Sequence, residues 1–196
     1  MFSFRRPTEA AIRARIAAAA LLPRIGAQFL TTESGHESGQ LPFLFAHDSS
    51  ISVIGHGEVA FAEARRAFAK WAMFNLGWVR VANPDARIVS GQLVAVEVES
   101  LGLWTVNLRR ILEVIDTPRV FGFLYATTEM HVEEGEERFL LELDAESGAV
   151  AYKLEAVSRP RNTLARLGFP ITRMFQRRFA RDSHHKMRAA ILHDVV

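Results

Sequence analysis

Between residues 93 and 158 the chain repeats one pattern: short runs of alternating apolar and polar residues, broken by Gly- or Pro-bearing turns. A period of two marks strands with one buried face, and runs so close together in sequence pair most simply as antiparallel hairpins. The runs predict strands at 93–99, 104–115, 120–127, 136–143 and 150–158, with Gly102, Pro118, Gly135 and Gly148 in the connections. An arginine-studded amphipathic helix follows from about Arg161 to Leu192. The expected class is α+β, one antiparallel sheet closed by one long C-terminal helix.

Size and composition narrow this further. With 196 residues, 49% hydrophobic and 23% charged, the chain describes one domain able to bury its own core. Residues 1–46 are expected to form a helical arm and loop packed on a domain spanning 47–196. The absence of cysteine removes thiolate zinc sites, thiol nucleophiles and redox switches, and suits a reducing cytoplasm. Near the N-terminus Arg13 and Arg15 interrupt an alanine-rich stretch, and the uncharged remainder, 16–22, is too short for a signal core or a membrane span. A helix starting near Thr8 is expected, either docked on a surface or touching a membrane.

The segment 31–50 is polar and glycine-bearing and reads as a loop leading to a short strand at 51–54. Gly55 and Gly57 then open a helix whose apolar stripe is Phe61, Ala64, Phe68, Trp71 and Ala72, with Gly77 as its stop. A strand at 78–81 and a turn at Asn83-Pro84-Asp85 complete the reading. Ser158-Arg159-Pro160 should end the last strand, since proline supplies no ladder donor. Gly168 and Pro170 should break the helical run that follows, leaving the long helix to start near Pro170.

The stretches GHGEVAFAEARRAFAKWAMFNLGWVRV, WTVNLRRI, FGFLYATTEMHVEEGEERF, SRP and LARLGFPITRMFQRRFARDS resemble the bacterial and plant family catalogued as domain of unknown function nineteen-ninety. The resemblance covers about residues 47–187. It implies a START-like, helix-grip fold, in which an apolar cavity lies between the curved sheet and the C-terminal helix. It implies no activity.

Side chains alternate along a strand, so only one parity of each run can meet such a cavity. Parity places inward Val94, Val96 and Val98; Trp104, Val106, Leu108, Leu112 and Val114; Phe121 and Phe123; Phe139, Leu141 and Leu143; and Val150, Leu154 and Ala156. The polar residues of the same parity are Arg110, Tyr125, Thr127, Glu137, Tyr152 and Ser158. Buried charge is costly unless paired, so Arg110 and Glu137 either meet each other or a ligand, or lie at strand ends where they reach water. The candidate ligand-binding set is Trp104, Arg110, Phe121, Phe123, Tyr125, Glu137, Phe139 and Tyr152. In it Arg110 would hold an anionic head and the tyrosines would orient it, the alternative for each tyrosine being a core hydrogen bond.

The catalytic candidates are His131, Glu137 and Tyr125. His131 lies among glutamates, which favour its protonated form, and could exchange a proton as general acid or base with Glu136 or Glu137. Tyr152 is a second candidate acid. No nucleophile motif accompanies them, and an ordinary surface histidine is the competing reading. No metal site is expected, because His131 with Glu133 is a bare pair, and His184, His185 and His193 lack the spacing of His-Glu-x-x-His. No cofactor is implied.

Along the C-terminal helix Leu164, Leu167, Ile171, Phe175, Phe179 and Met187 form the apolar stripe. Residues 161–188 hold 8 of the chain's 24 Lys and Arg and 1 of its 22 Asp and Glu. The basic side is either a solvated face paired with acidic groups, an anionic-membrane surface through Arg166, Arg173, Arg177 and Arg181, or a nucleic-acid contact. Aromatic residues fall on the core stripe rather than among the arginines, which argues against nucleic acid. Three functions therefore stand: binding of an apolar or amphipathic, lipid-like small molecule; a cyclase- or hydratase-type enzyme on the same fold; or a closed core that works through its surface.

Overall fold

The alternating runs beyond residue 93 become five strands, each paired with the next in sequence. In the computed structural model, which describes residues 2–22, 30, 46–128, 133–160 and 163–192, the strands are β1 (Phe2–Ser3), β2 (Ala46–His56), β3 (Val79–Val81), β4 (Leu93–Ser100), β5 (Leu103–Asp116), β6 (Val120–Thr127), β7 (Glu133–Leu143) and β8 (Ala149–Pro160). All pair antiparallel, in the order β2-β8-β7-β6-β5-β4-β3, with β1 lying beside the start of β5. The helices are α1 (Glu9–Ala20), α2 (Gly57–Ala69) and α3 (Thr163–Leu192), with a 3₁₀ turn at Ala72–Phe74. The sheet curls around α2 and α3: the antiparallel pairing is what the alternation predicts, and the wrapped C-terminal helix is what the family resemblance implies.

Boundaries moved where long-range pairing outweighs local signal. β2 is eleven residues long rather than four, because β8 pairs along it and orders the serine-rich half. β8 reaches Pro160, which stands at its last paired position, where proline is tolerated. α2 ends at Ala69, well before Gly77, because Trp71 adopts a left-handed backbone (φ 57°) and anchors itself through its indole N–H, which donates to the Ala86 carbonyl at 2.9 Å. α3 runs unbroken through Gly168 and Pro170, so the expected break is absent. Proline's fixed φ is itself helical, and here the turns on either side of Pro170 carry the helix past the one backbone hydrogen bond it cannot donate. Thr8 caps α1 as expected, its hydroxyl accepting from the Ala11 N–H at 3.3 Å.

The concave face holds the main core. Phe68 of α2 is fully buried and stands edge-on to Phe121, Phe123 and Tyr152 at 6.0, 6.0 and 5.6 Å. Phe123 stacks on Phe139 at 5.0 Å, and Phe74 of the 3₁₀ turn lies 5.4 Å from Phe139. Each such pair adds about 0.5–1.5 kcal/mol beyond the area it buries.

The convex face is covered too. Ile12 and Ala19 of α1 pack on Leu93, Ala95, Val106 and Leu108. Glu97 lies on this face with its carboxylate buried, accepting from Arg6 Nε at 3.2 Å and from Arg80 Nε. The Arg6 guanidinium also sits 5.5 Å over the Trp104 ring, which fastens the N-terminal segment to the sheet. The inward parity assigned to the first half of β5 is thereby corrected: Trp104, Val106, Leu108 and Arg110 belong to the α1 side. A register shift between Ile111 and Glu113 then returns Val114 to the concave core.

Gly122 of β6 leaves no room for a side chain against β7. A Cβ on Gly122 would stand 2.1 Å from the Phe139 carbonyl oxygen and 2.6 Å from Leu140 Cδ2. Gly122→Ala should therefore cost about 1–3 kcal/mol through overpacking. Urea unfolding reads this as a lowered midpoint, and an unchanged midpoint would mean that the two strands can part without penalty.

Candidate functional site

The rings of α2 and the 3₁₀ turn fill one end of the concave face, and α3 rests on them through Phe179, which is 5.3 Å from Phe74 and 6.3 Å from Phe139. Beyond this contact a cavity of about 600 Å³ separates the sheet from α3. Its apolar wall includes Val96, Val98, Phe139, Leu154, Phe175 and Phe179. Among its lining residues Ser49, Arg177 and Arg181 are exposed and mark where it meets solvent. The volume and the largely apolar wall are those of an ordinary small-molecule site.

One polar cluster interrupts that wall. Tyr125 and Glu137 are directly opposed on β6 and β7, and the tyrosine hydroxyl donates to Glu137 Oε2 at 2.9 Å. Arg109 of β5 meets the other carboxylate oxygen at 3.1 Å, and its guanidinium lies 5.4 Å over the Tyr125 ring. Burial, and then the Glu137 charge, raise the Tyr125 pKa well above its ordinary value, so the hydroxyl keeps its proton and acts as a donor. Thr105 and Asn107 continue the polar strip along the cavity side of β5. The cluster can orient a polar group and, through Glu137 and Tyr125, hold an acid and a base side by side. Among the described residues, no three imidazole or carboxylate groups converge as a metal would require.

The expected site residues divide accordingly. Tyr125, Glu137 and Phe139 line the cavity. Phe121, Phe123 and Tyr152 lie in the ring-packed core beneath α2, where the Tyr152 hydroxyl meets Ser183 Oγ at 2.8 Å and burial raises its pKa. Trp104 and Arg110 do not reach the cavity. Arg110 is buried on the α1 side and donates to the Ala19 carbonyl at 2.8 Å and the Gly91 carbonyl at 3.3 Å. The partner that parity sought for Glu137 is thus Arg109, one residue earlier. Arg109, Asn107 and Thr105 were missed because β5 carries apolar residues of both parities. The apolar stripe of α1, with Ile12, Ile16 and Ala19, is the signal that a second face needed covering. His131 and the Arg166 side chain lie outside the described residues.

α3 contributes a second polar group. His184 Nε2 lies 2.9 Å from Ser50 Oγ, and its ring stands edge-on to Tyr152 at 4.9 Å. Burial first, and then Arg188, lower its pKa from the ordinary 6.5. Of the arginines, Arg173 forms a two-point pair with Asp48, one contact at 2.7 Å, while Arg178 lies 4.4 Å over Trp78. Gln176 donates to Ser158 Oγ at 3.4 Å.

Two outcomes follow from this geometry. Tyr125→Phe should cost about 1–2 kcal/mol by withdrawing a donor from a carboxylate, measured by urea unfolding, and no loss would place the hydroxyl in water rather than on Glu137. Because the native state resists protonating His184 while the unfolded chain does not, its contribution is present above pH 6.5 and lost as pH falls below that value. His184→Gln should flatten the slope of stability against pH on the acid side of 6.5, and an identical slope in both proteins would contradict the assignment.

The architecture is shared with proteins of known structure. It superposes on the Zhui aromatase/cyclase from Streptomyces sp. R1128 with a TM-score of 0.52 at 13% identity, over 78% of this chain and 96% of that one. It also matches a point mutant of Thalictrum flavum norcoclaurine synthase, in complex with a transition-state analogue, with a TM-score of 0.54 at 8% identity, over 80% of this chain and 100% of that one. At such identity the likeness is one of fold, the START-like helix grip. In sequence the chain is 31% identical over 207 residues to a UPF0548 protein of Dictyostelium discoideum, covering 97% of this chain and 96% of that protein. A family model matches residues 30–186, and the chain belongs to the family described as Domain of unknown function (DUF1990).

Proposed function

We propose that this protein binds an apolar or amphipathic small molecule between sheet and α3, with its apolar part against Val96, Val98, Phe175 and Phe179 and an uncharged polar group at Tyr125, Glu137 and Arg109. The carrying observation is the cavity of about 600 Å³, apolar over most of its wall with a few polar groups converging from β5, β6 and β7. Proteins of the same fold named for acting on small molecules support the reading by analogy. The closed-core alternative has less support, since the aromatic residues fill one end of the concavity and not the other.

A second reading rests on the hydrogen bond from Tyr125 to Glu137 at the cavity wall. In an enzyme of the cyclase or hydratase type, Glu137 would take a proton from the substrate while Tyr125 polarised an oxygen. Arg109 would steady the carboxylate from its other oxygen, at 3.1 Å. Tyr152 drops out as the acid, its hydroxyl being engaged with Ser183.

Ala180 of α3 borders the cavity, and a larger side chain there would occupy it. Ala180→Trp should weaken binding of the neutral fluorescent probe N-phenyl-1-naphthylamine by more than about tenfold, a loss of about 1.4 kcal/mol, with the fold retained by circular dichroism. Equal probe binding by the two proteins would remove the cavity from consideration. Once a bound molecule is identified, Glu137→Gln separates the readings: a binder keeps most of its affinity, whereas an enzyme loses about 10²–10⁴-fold in turnover.

A further inference from the structure

The acidic groups around the cavity are each neutralised by a cation. Glu137 faces Arg109 at 3.1 Å, Glu155 faces Arg138 at 3.2 Å and His47 at 2.9 Å, and Asp48 is held by Arg173. Two further lining arginines take no part in these pairs. Arg177 has no carboxylate partner among the described residues, and Arg181 shares Asp182, at 3.0 Å, with Arg178, at 3.4 Å. They stand four residues apart on α3, hence one above the other on the same side, and both are exposed where the cavity meets solvent. The surplus charge of the site is therefore positive and sits at the rim.

The interior has the opposite character. Arg109 and Glu137 cancel each other, so a second carboxylate driven to that depth would lie beside Glu137 and be desolvated without a free cation. A neutral hydroxyl or carbonyl meets no such cost. From this asymmetry we infer that the ligand is an anionic amphiphile, its apolar tail inside the cavity and its carboxylate, sulfate or phosphate head outward on Arg177 and Arg181. This rests on the cavity reading above and adds the ligand's charge and orientation. Arg177 and Arg181 can meet the head from two adjacent turns, a geometry suited to guanidinium–oxyanion pairing.

The test compares three twelve-carbon probes below their micelle concentrations: dodecanoate, dodecanol and dodecylamine, each displacing N-phenyl-1-naphthylamine at pH 8. Dodecanoate should bind about 3- to 10-fold tighter than dodecanol, with dodecylamine weakest, as expected for two exposed ion pairs. The double variant Arg177→Gln/Arg181→Gln should lose that margin while keeping its affinity for dodecanol. Arg87→Gln, an exposed cation that is not among the lining residues, should keep the margin. Equal affinity for all three probes, or a dodecanoate preference that survives in the double variant, overturns the inference and leaves the cavity reading intact. Failure of every probe overturns both. Binding to phosphatidylglycerol vesicles that the double variant loses, with no head preference among the single-chain probes, overturns it as well and assigns the two arginines to a membrane surface.

Discussion

The contact of Phe179 with Phe74 and Phe139 sets the height of α3 above the sheet, and most of the remaining architecture depends on that height. Phe74 reaches this position because α2 stops early, Trp71 turns the chain with a left-handed backbone, and its indole ties the turn to Ala86. Packed rings compress little, so the helix cannot settle further onto the strands. On the α2 side of the contact the concavity is filled. On the other side it stays open, and the cavity is the space left between α3 and the curved sheet.

An enclosed dry void of 600 Å³ would cost on the order of 14 kcal/mol at about 24 cal/mol per Å³, as much as the whole stability of a domain. The polar strip of β5 and the opening past Arg177 and Arg181 relieve that cost, since water or a ligand can occupy the space. The same strip explains how a carboxylate persists on an otherwise apolar face. Arg109 supplies the opposite charge from the next strand but one, and Tyr125, directly opposite, supplies a donor whose proton burial makes hard to lose. Fold and site are thus one arrangement: the register that pairs β6 with β7 also puts Tyr125 on Glu137.

How much of this could be read from the chain varies with the strand. β6 was legible to the residue because its concave set, Phe121, Phe123 and Tyr125, is interrupted by nothing local. β5 was not. Its two arginines are adjacent, one parity serves α1 and the other the cavity, and the shift after Ile111 exchanges the parities partway along. With a single buried face only one of two adjacent arginines can point inward, and the more apolar parity points to Arg110, whereas Arg109 is the one that lines the cavity. The length of β2 was hidden for a different reason, since Ser49, Ser50 and Ser52 carry little strand preference and are ordered by β8. The polar groups of α3 were visible as types but not as partners, because pairs such as Ser183 with Tyr152 and Arg173 with Asp48 join residues far apart in sequence.

Both functional readings require the space under α3 to be a ligand compartment. The most direct measurement is a native mass spectrum of the protein purified gently from its own host, followed by solvent extraction and identification of whatever is released. The expected spectrum shows a stoichiometric additional mass, belonging to one anionic amphiphile or a narrow set of them, that disappears in Ala180→Trp. A protein of its bare sequence mass under conditions that preserve weak complexes, with nothing recovered on extraction, would contradict it.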